Sequence, residues 1–229
     1  ALGKKEDAAR FYAQSLNYKK YFSPEYGVFR PILPDGKFLS PFNPKQGENF
    51  EDVPGFHEGS SWNYSFMVPH DIPGLIKMHG GNKKFTRKLQ EVFDDGHYDP
   101  TNEPNIGYPY LFNYVKGEEW RTQKLTRELL EKHFRNAPDG LPGNDDTGTM
   151  SAWAVFSMMG FYPVVPADMS YAVTSPVFEK ITIQLDTKYY PNNRLVIEKR
   201  KNLKSGDYIR QIKVNNKKNI KSFIILIFY

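Results

Sequence analysis

The feature that most constrains the fold is a change in hydrophobic period near Gly160. Before Gly160, apolar residues recur at the three- and four-residue spacing of amphipathic helices. After it, apolar and polar residues alternate with the period of two that is typical of strands. Helices therefore precede strands instead of alternating with them, which predicts an α+β chain and excludes a parallel βαβ sheet. We predict two domains, a helical one over 1–161 and a β module over 162–229.

The predicted helices are separated by proline and glycine, which interrupt the helical pattern. Residues 23–57 contain six prolines and are predicted to be an extended, aromatic-rich loop. Pairs of asparagine and a Ser-Gly-Asp sequence predict the turns between strands. The predicted helices are Lys5–Phe22, Ser60–Met67, a helix capped by Asp71 that runs through His79, Asn82–Phe93, Pro104–Val115, Glu118–Phe134 and Thr147–Met159. The predicted strands are Tyr171–Thr174, Lys180–Leu185, Asn193–Glu198 and Tyr208–Val214, and the apolar tail Phe223–Tyr229 suits one more strand.

The charge of the chain is concentrated at its C-terminal end. The 229 residues carry a net charge of +5, but residues 198–229 alone carry +7. A solvated, lysine-rich hairpin region explains this excess, and nucleic-acid binding is the less favoured alternative. With no cysteine in the sequence, disulfide scaffolds and thiolate metal sites are excluded. No apolar run is long enough to span a membrane, so we predict no membrane span. Because the positive charge is confined to the C-terminal end, we also predict no nucleic-acid partner.

The first candidate site residue is Glu58, which lies at the predicted start of a helix. Phe56, Trp62 and Phe66 are its aromatic neighbours in the sequence. Aromatic walls remove a carboxyl group from water and raise its pKa, as a general acid requires. We therefore expect Glu58 to be screened from solvent. The alternative is an ordinary negative charge at a helix N-terminus.

The second candidate is the sequence Asn102-Glu103-Pro104. A residue before proline avoids the helical region, so Glu103 is expected to be extended, with Pro104 opening a helix. The helix dipole then favours an ionised Glu103, which would accept hydrogen bonds from hydroxyl groups or bind a cation. Capping alone is the competing explanation.

The third candidate is Asn144-Asp145-Asp146, which precedes a predicted helix and has glycines on either side. One acid would suffice as a cap, so two carboxylates and an amide indicate a further function. Ionised carboxylates at one place and a desolvated Glu at another are what acid–base glycoside hydrolysis requires. Binding of a hard cation is the competing use of these oxygens. The five histidines do not have the spacing of zinc ligands.

These clusters closely resemble glycoside hydrolase family 92, a family of exo-acting α-mannosidases. The resemblance extends over nearly the whole chain, to about Phe223. Its motifs are Glu58-Gly-Ser-Ser-Trp-Asn-Tyr-Ser-Phe-Met-Val-Pro-His-Asp71, Asn102-Glu-Pro104 with Tyr110-Leu-Phe-Asn-Tyr114, Trp120-Arg-Thr-Gln123, Gly143-Asn-Asp-Asp-Thr-Gly-Thr-Met-Ser-Ala-Trp153, Gly160-Phe-Tyr-Pro163 and Thr174-Ser-Pro-Val-Phe-Glu-Lys-Ile-Thr182.

The resemblance implies an N-terminal β-sandwich domain, an (α/α)6 barrel and a small β element. The six or seven predicted helices are about half of such a barrel. Because the chain also opens without Met on a helical pattern, we expect it to be the C-terminal portion of a protein whose N-terminal domain is missing here. The full-length protein is then expected to be secreted, periplasmic or at the cell surface, and this portion alone to have little activity.

The resemblance also implies residue roles in an inverting, Ca²⁺-dependent displacement on a mannose-containing glycan. Glu58 matches the general acid, with Glu103 as the alternative. Asp146 matches the base that activates water, with Asp145 beside it. The residues matched to substrate binding are Glu103, Asn102, Trp62 and Asn144, with Ca²⁺ placed near Glu103 and Asp145.

Some positions depart from the family pattern. Ile106 stands close to the expected cation site and cannot ligate calcium, and Asn102 stands where α-1,2-specific relatives can carry His, so the linkage preference is open. The alternatives are a metal-independent (α/α)6 glycosidase for another sugar and a carbohydrate-binding fragment without catalysis.

Overall fold

The computed structural model describes residues 2–48, 54–166, 168–199, 208–219 and 222–225. It has seven α-helices and nine short strands in these ranges. The helices are α1 (Lys5–Ser15), α2 (Ser61–Tyr64), α3 (Ile72–Met78), α4 (Asn82–Asp94), α5 (Glu103–Ile106), α6 (Glu119–His133) and α7 (Thr149–Met159). The strands are β1 (Phe22–Ser23), β2 (Val28–Phe29), β3 (Phe161–Tyr162), β4 (Ser170–Val173), β5 (Lys180–Gln184), β6 (Arg194–Glu198), β7 (Ile212–Val214), β8 (Lys217–Asn219) and β9 (Phe223–Ile225).

The predicted α+β class is confirmed, because helices fill the first part of the chain and antiparallel strands the last. The chain forms two compact units, residues 1–99 and residues 100–229. The boundary predicted from the change of period falls inside the second unit. The division into 1–161 and 162–229 stays a prediction.

In the first unit, α3 and α4 form a helical pair over an apolar core. On α4, Phe85, Leu89 and Val92 are buried at helical spacing. Asp71 caps α3 as predicted, since its Oδ1 accepts a hydrogen bond from the amide of Gly74 at 2.9 Å. The hairpin β1–β2 joins α2 through Ser65, whose hydroxyl accepts from the amide of Phe29 at 2.7 Å.

In the second unit, the helices and the strands share hydrogen bonds. α6 packs on a 3-10 helix over Tyr108–Tyr114, and the Thr122 hydroxyl donates to the carbonyl of Pro109 at 2.8 Å. From that 3-10 helix the Asn113 amide donates to the carbonyl of Val173 in β4 at 2.9 Å. The antiparallel sheet β3-β4-β9 therefore lies against the helical layer. Gly160 ends α7 with a left-handed backbone, φ +91°, as predicted.

The remaining strands form two separate hairpins, β5–β6 and β7–β8. Asn215 and Asn216 make the two-residue turn of β7–β8, both with positive φ, as the turn signal predicted. The predicted strand over Tyr208–Val214 is confirmed only at Ile212–Val214. The predicted turn over 205–207 and the end of the apolar tail, 226–229, lie outside the described residues, while Phe223–Ile225 is a strand.

Candidate active site

Glu58 lies in the first unit, in a backbone conformation that is uncommon for residues other than glycine. Its φ is +53°, in the left-handed region. Ser60 follows two residues later as the N-cap of α2. Its amide donates to Oδ1 of Asn63 at 2.7 Å, and its hydroxyl accepts from the amide of Trp62 at 3.2 Å. This reciprocal capping box fixes where the chain enters α2, and hence the position of the Glu58 backbone.

The expectation that aromatic walls screen Glu58 from solvent is wrong for this chain. Its side chain is 63% exposed, and His57, whose Nε2 lies 3.6 Å from Oε1 of Glu58, is also exposed. Phe66 packs in the core, while Phe56 stacks on Tyr64 with a centroid distance of 5.8 Å. The aromatic rings near Glu58 in sequence therefore point toward other partners.

Trp62 is part of the core of the first unit. One face of its ring stacks on the imidazole of His97 at a centroid distance of 4.4 Å. The Lys88 ammonium lies 4.3 Å from the ring centroid, and Oε1 of Glu48 is 2.8 Å from Nδ1 of His97. With an imidazole and an ammonium against its ring, Trp62 helps to hold α2 on α4. Its predicted role in substrate binding stays a prediction.

In the second unit, α5 begins one residue earlier than the sequence predicts. Asn102 is the extended residue, and Glu103 is already the first residue of the helix, with Pro104 second. A residue before proline usually avoids the helical conformation, but Glu103 adopts it here. Glu103 is exposed and Asn102 is buried. A helix of four residues supplies only a small dipole, so the electrostatic argument for Glu103 is weaker than expected.

The two adjacent aspartates differ in their hydrogen bonding. Both carboxylate oxygens of Asp145 accept hydrogen bonds from Ser151, Oδ1 from its amide at 2.8 Å and Oδ2 from its hydroxyl at 2.9 Å. Asp145 therefore satisfies an amide in the first turn of α7, as a cap does. No hydrogen bond or ion pair involves the carboxylate of Asp146 in the part of the chain that the structure describes. Asp146 is half-buried, and Asn144 is exposed.

The structure brings the second and third clusters together. Gly143 passes so close to Thr101 that a Cβ built on it would lie 2.8 Å from the Thr101 Cβ, so only glycine fits there without a shift. Ten residues further along, the indole of Trp153 donates to the carbonyl of Ile106 at 2.8 Å and ties α7 to α5. Asn102, Glu103 and residues 144–146 thus share one neighbourhood, whereas Glu58 and Trp62 belong to the first unit.

Two tyrosines, the buried Tyr110 and the half-buried Tyr162, pack near α7. The hydroxyl of Tyr110 lies 2.6 Å from that of Ser157, and the ring of Tyr110 stacks on Tyr162 with a centroid distance of 4.6 Å. Burial raises the pKa of Tyr162 to about 12 and that of Tyr110 further, so both stay neutral near pH 7. These two side chains therefore support α7 by packing and contribute no charge.

Acidic side chains alone do not make a metal site among the described residues. No three His, Cys, Asp or Glu side chains are grouped in these ranges so that they could hold a metal ion. Calcium takes six to eight oxygen ligands, so a site near Glu103 and Asp145 would need further oxygens from backbone, amide, water or substrate. Among the same residues, no helix is both long and apolar enough to cross a membrane.

Ser151 and Thr149 hold the Asp145–Asp146 turn, and neither was among the predicted site residues. The Thr149 hydroxyl donates to the carbonyl of Asp146 at 2.6 Å. A hydroxyl residue in the first turn of a helix that follows an acidic pair is the signal that could have identified them.

Comparison with known proteins identifies a family and solved structures to which this chain is similar. Residues 1–226 match the family described as "Glycosyl hydrolase family 92 catalytic domain". The chain is similar to the GH92 α-mannosidase BT3965 of Bacteroides thetaiotaomicron, solved with mannoimidazole, with a TM-score of 0.83 and 32% identity over 98% of this chain and 31% of that one. The GH92 inverting mannosidase BT2199 of the same organism gives a TM-score of 0.82 and 28% identity over 98% of this chain and 32% of that one.

A curated relative points in the same direction. An uncharacterized secreted glycosidase of Arthroderma benhamiae is 34% identical over 128 residues, which are 56% of this chain and 16% of that protein. The chain therefore spans less than a third of the length of each of these relatives.

Proposed function

The chain belongs to glycosyl hydrolase family 92, and we propose that it carries the acid and the base of an exo-acting α-mannosidase. The substrate would be a terminal α-linked mannose on a glycan. The observation that carries this proposal is the likeness to a solved GH92 α-mannosidase over 98% of this chain at 32% identity. The proposal concerns the longer protein as well, because this chain spans 31% of that relative.

The proposed reaction is a single displacement with inversion. Glu58 would protonate the glycosidic oxygen as the bond to the leaving sugar breaks. Asp146 would take a proton from a water molecule that attacks the anomeric carbon from the opposite face. Such a mechanism needs the two carboxyl groups about 6.5–9.5 Å apart, with room for water between the base and the sugar.

The different hydrogen bonding of the two aspartates supports Asp146 as the base. Asp145 is held at both oxygens by Ser151, so it is poorly placed to change partners during a reaction. Asp146 has a half-buried carboxylate that no described residue binds. A carboxylate in that situation can accept a proton from water without first breaking an internal bond.

Substrate contacts are proposed for the residues around this pair. Asn102 and Glu103 lie beside the loop of residues 141–148, where amide and carboxylate oxygens can accept bonds from sugar hydroxyls. Asn144 is exposed at the same loop. Trp62, which is buried in the first unit, is included on the family resemblance alone.

Calcium enters the proposal on the resemblance alone. When bound, the ion would orient sugar hydroxyls by direct coordination. Glu103 and Asp145 would be among its ligands, completed by oxygens outside the clusters of acidic residues. Neither proton transfer above passes through the ion, but without it the sugar would not be oriented and hydrolysis would stop.

The exposure of Glu58 favours a second candidate function for the chain by itself. The Glu58 side chain is 63% exposed and therefore open to water. The bound glycan, or sequence flanking this chain, would have to cover Glu58 for it to act as an acid. Without that cover, the chain would bind sugar and not hydrolyse it.

We also propose that the gene-length protein, meaning this chain with any sequence that flanks it in its gene, contains the (α/α)6 barrel and acts outside the cytoplasm. The relatives are more than three times as long as the matched chain, and one of them is described as secreted.

The proposal is tested by assaying the gene-length protein on α-mannosides and α-glucosides, with and without a chelator. We expect hydrolysis of α-mannosides that the chelator abolishes and added calcium restores. Asp146→Asn should lower kcat by a factor of about 10²–10⁴, the usual contribution of a general base. Asp139→Asn, which alters an exposed ion pair with Arg135, is the matched control and should leave kcat unchanged.

Two results would contradict the proposal in different ways. Chelator-resistant hydrolysis of α-glucosides would assign a metal-independent glycosidase of another specificity. Mannose binding without turnover by the gene-length protein would assign a carbohydrate-binding role.

A further inference from the structure

The turn that carries Asp146 has three consecutive residues in the left-handed backbone region. The φ angles are +45° at Asp146, +57° at Thr147 and +91° at Gly148. L-residues usually enter this region singly, because Cβ then crowds the following carbonyl oxygen. Gly148 escapes that crowding, but Thr147 is β-branched and is a clear outlier. The turn is therefore strained and must be held by its surroundings.

Hydrogen bonds from the first turn of α7 hold this turn at its start and in its middle. At its start, the Thr149 amide donates to the carbonyl of Asp145 at 2.7 Å, and Ser151 binds both oxygens of the Asp145 carboxylate. In its middle, the Thr149 hydroxyl donates to the carbonyl of Asp146 at 2.6 Å. The Asp145–Ser151 pair closes the loop across residues 146–148.

Ordinary capping of α7 would not require this geometry. A capping aspartate normally occupies the N-cap position itself, which here is Gly148. The acceptor instead comes from Asp145, three residues earlier, so the residues between are forced out as a tight loop. That loop presents the carboxylate of Asp146, which no described residue binds.

We propose that Ser151 is a positioning residue for the reaction. Its two hydrogen bonds to the Asp145 carboxylate, called the clamp below, hold the turn in its strained conformation and so fix the direction of the Asp146 carboxylate. The inference rests on the proposed function, because it assigns the purpose of the strain to the base. Ser151 contacts neither water nor sugar in this scheme. It acts through Asp145, and its hydroxyl also lies 3.2 Å from the carbonyl of Gly148 in the same turn.

The first experiment measures kcat and KM for the gene-length protein on an α-mannoside. Ser151→Ala removes one of the two donors to Asp145 and should lower kcat about tenfold, because small misplacements of a catalytic group are costly. KM should change by less than about twofold, since ground-state binding is untouched. Ser151→Thr keeps the hydroxyl and the amide and should restore most of kcat.

The matched control is Ser157→Ala, which removes another hydroxyl from the same helix. Ser157 is buried against Tyr110 and does not contact the turn. Its loss should lower the melting temperature and leave kcat unchanged. Equal losses of kcat in Ser151→Ala and Ser157→Ala, or an unchanged kcat in Ser151→Ala, would overturn the proposal.

The second experiment tests the stored strain without any activity. Thr147→Gly relieves the strain and should raise the melting temperature by about 2 °C in the otherwise unchanged protein. In the Ser151→Ala background the turn is already relaxed, so the same substitution should raise it much less. If the changes in melting temperature from Thr147→Gly and Ser151→Ala simply add, then the clamp and the strain at Thr147 are independent, which would overturn the proposal.

The outcomes also separate this inference from the proposed function. A gene-length protein without activity on α-mannosides contradicts the proposed function and with it the catalytic purpose of the clamp. The coupling of Ser151 to the strained turn is then decided by the melting temperatures alone.

Discussion

At the scale of single residues, His79 is an imidazole enclosed by aromatic rings in the first unit. It stacks on Phe66 at a centroid distance of 5.1 Å and meets Phe22 and Phe85 edge to face. Burial, reinforced by the charge of Lys88, lowers the pKa of His79 from 6.5 to about 4. The folded chain therefore holds His79 neutral in a range of pH where the unfolded chain protonates it.

This shift predicts a loss of stability in acid. Between about pH 6.5 and pH 4 the unfolded state binds the extra proton, so the free energy of unfolding falls as the pH falls. The expected loss for this group is about 3 kcal/mol at the acid end. Urea denaturation at several pH values should show that His79→Phe removes this part of the dependence. His57→Gln, at an exposed histidine, should leave it in place, and an unchanged pH profile in His79→Phe would contradict the assignment.

Asp71 holds the start of α3 with three partners. Its carboxylate accepts from the amide of Gly74 at 2.9 Å and from the hydroxyl of Tyr18 at 2.7 Å, and Lys19 lies at 3.2 Å. Burial acts to raise the pKa of Asp71, but the hydrogen bonds from Tyr18 and Gly74 outweigh it and leave the pKa below its usual value.

Removing this carboxylate should therefore be costly. Asp71→Ala is expected to lower the free energy of unfolding by about 1–2 kcal/mol, the range for the loss of an N-cap. Asp35→Ala, at an exposed carboxylate paired with Lys37, is the control and should change it little. Equal midpoints for the two variants in urea would show that Asp71 does not hold α3.

The sequence could identify the candidate carboxylates but not their surroundings. Glu58, Glu103 and Asp146 were predicted from local residue types and from the family resemblance. The burial of Glu58 was predicted wrongly because side-chain direction depends on contacts distant in sequence. Trp62 stacks on His97 and contacts the ammonium of Lys88, which lie 35 and 26 positions later in the chain.

At the scale of elements, the helices with a sustained apolar stripe were predicted to within two residues. α4 and α6 are of this kind, and α7, which is apolar on most sides, was predicted equally closely. Flanking glycines mark the start of α4 and both ends of α7. The helix predicted over Pro104–Val115 is instead split into α5 and a 3-10 helix. Pro109 has no amide proton to donate, and it interrupts the helical ladder just after Gly107. Both residues are visible in the sequence, so the prediction gave the apolar pattern too much weight and this proline too little.

α1 is the helix that the rest of the described chain supports least. None of its residues is buried, and Phe11 and Tyr12 are 58% and 70% exposed. An 11-residue helix without tertiary packing is marginal in water. In the isolated chain, hydrogen exchange should show the amides of α1 exchanging at close to unprotected rates. Those of α4, whose apolar face is buried, should be protected by several orders of magnitude. Equal protection of the two helices would contradict this expectation.

At the scale of the whole molecule, the chain spans 31% of the length of BT3965 while that relative matches 98% of the chain. All the candidate carboxylates lie within the matched part, but Glu58 is largely exposed. We therefore expect the 229-residue chain alone to have little or no activity on α-mannobiose. The gene-length protein is expected to be active. A purified chain that turns over this substrate at about 10 s⁻¹, an ordinary enzyme rate, would refute the expectation.

The two-carboxyl mechanism makes one further demand on the whole protein, which is the configuration of the sugar it releases. If Glu58 and Asp146 act from opposite faces of the sugar, water displaces the leaving group in one step and the product is inverted. Proton NMR of the gene-length protein acting on an α-mannoside follows the anomeric signal before mutarotation. We expect β-mannose to appear first, and α-mannose as the first product would contradict an inverting displacement by Glu58 and Asp146.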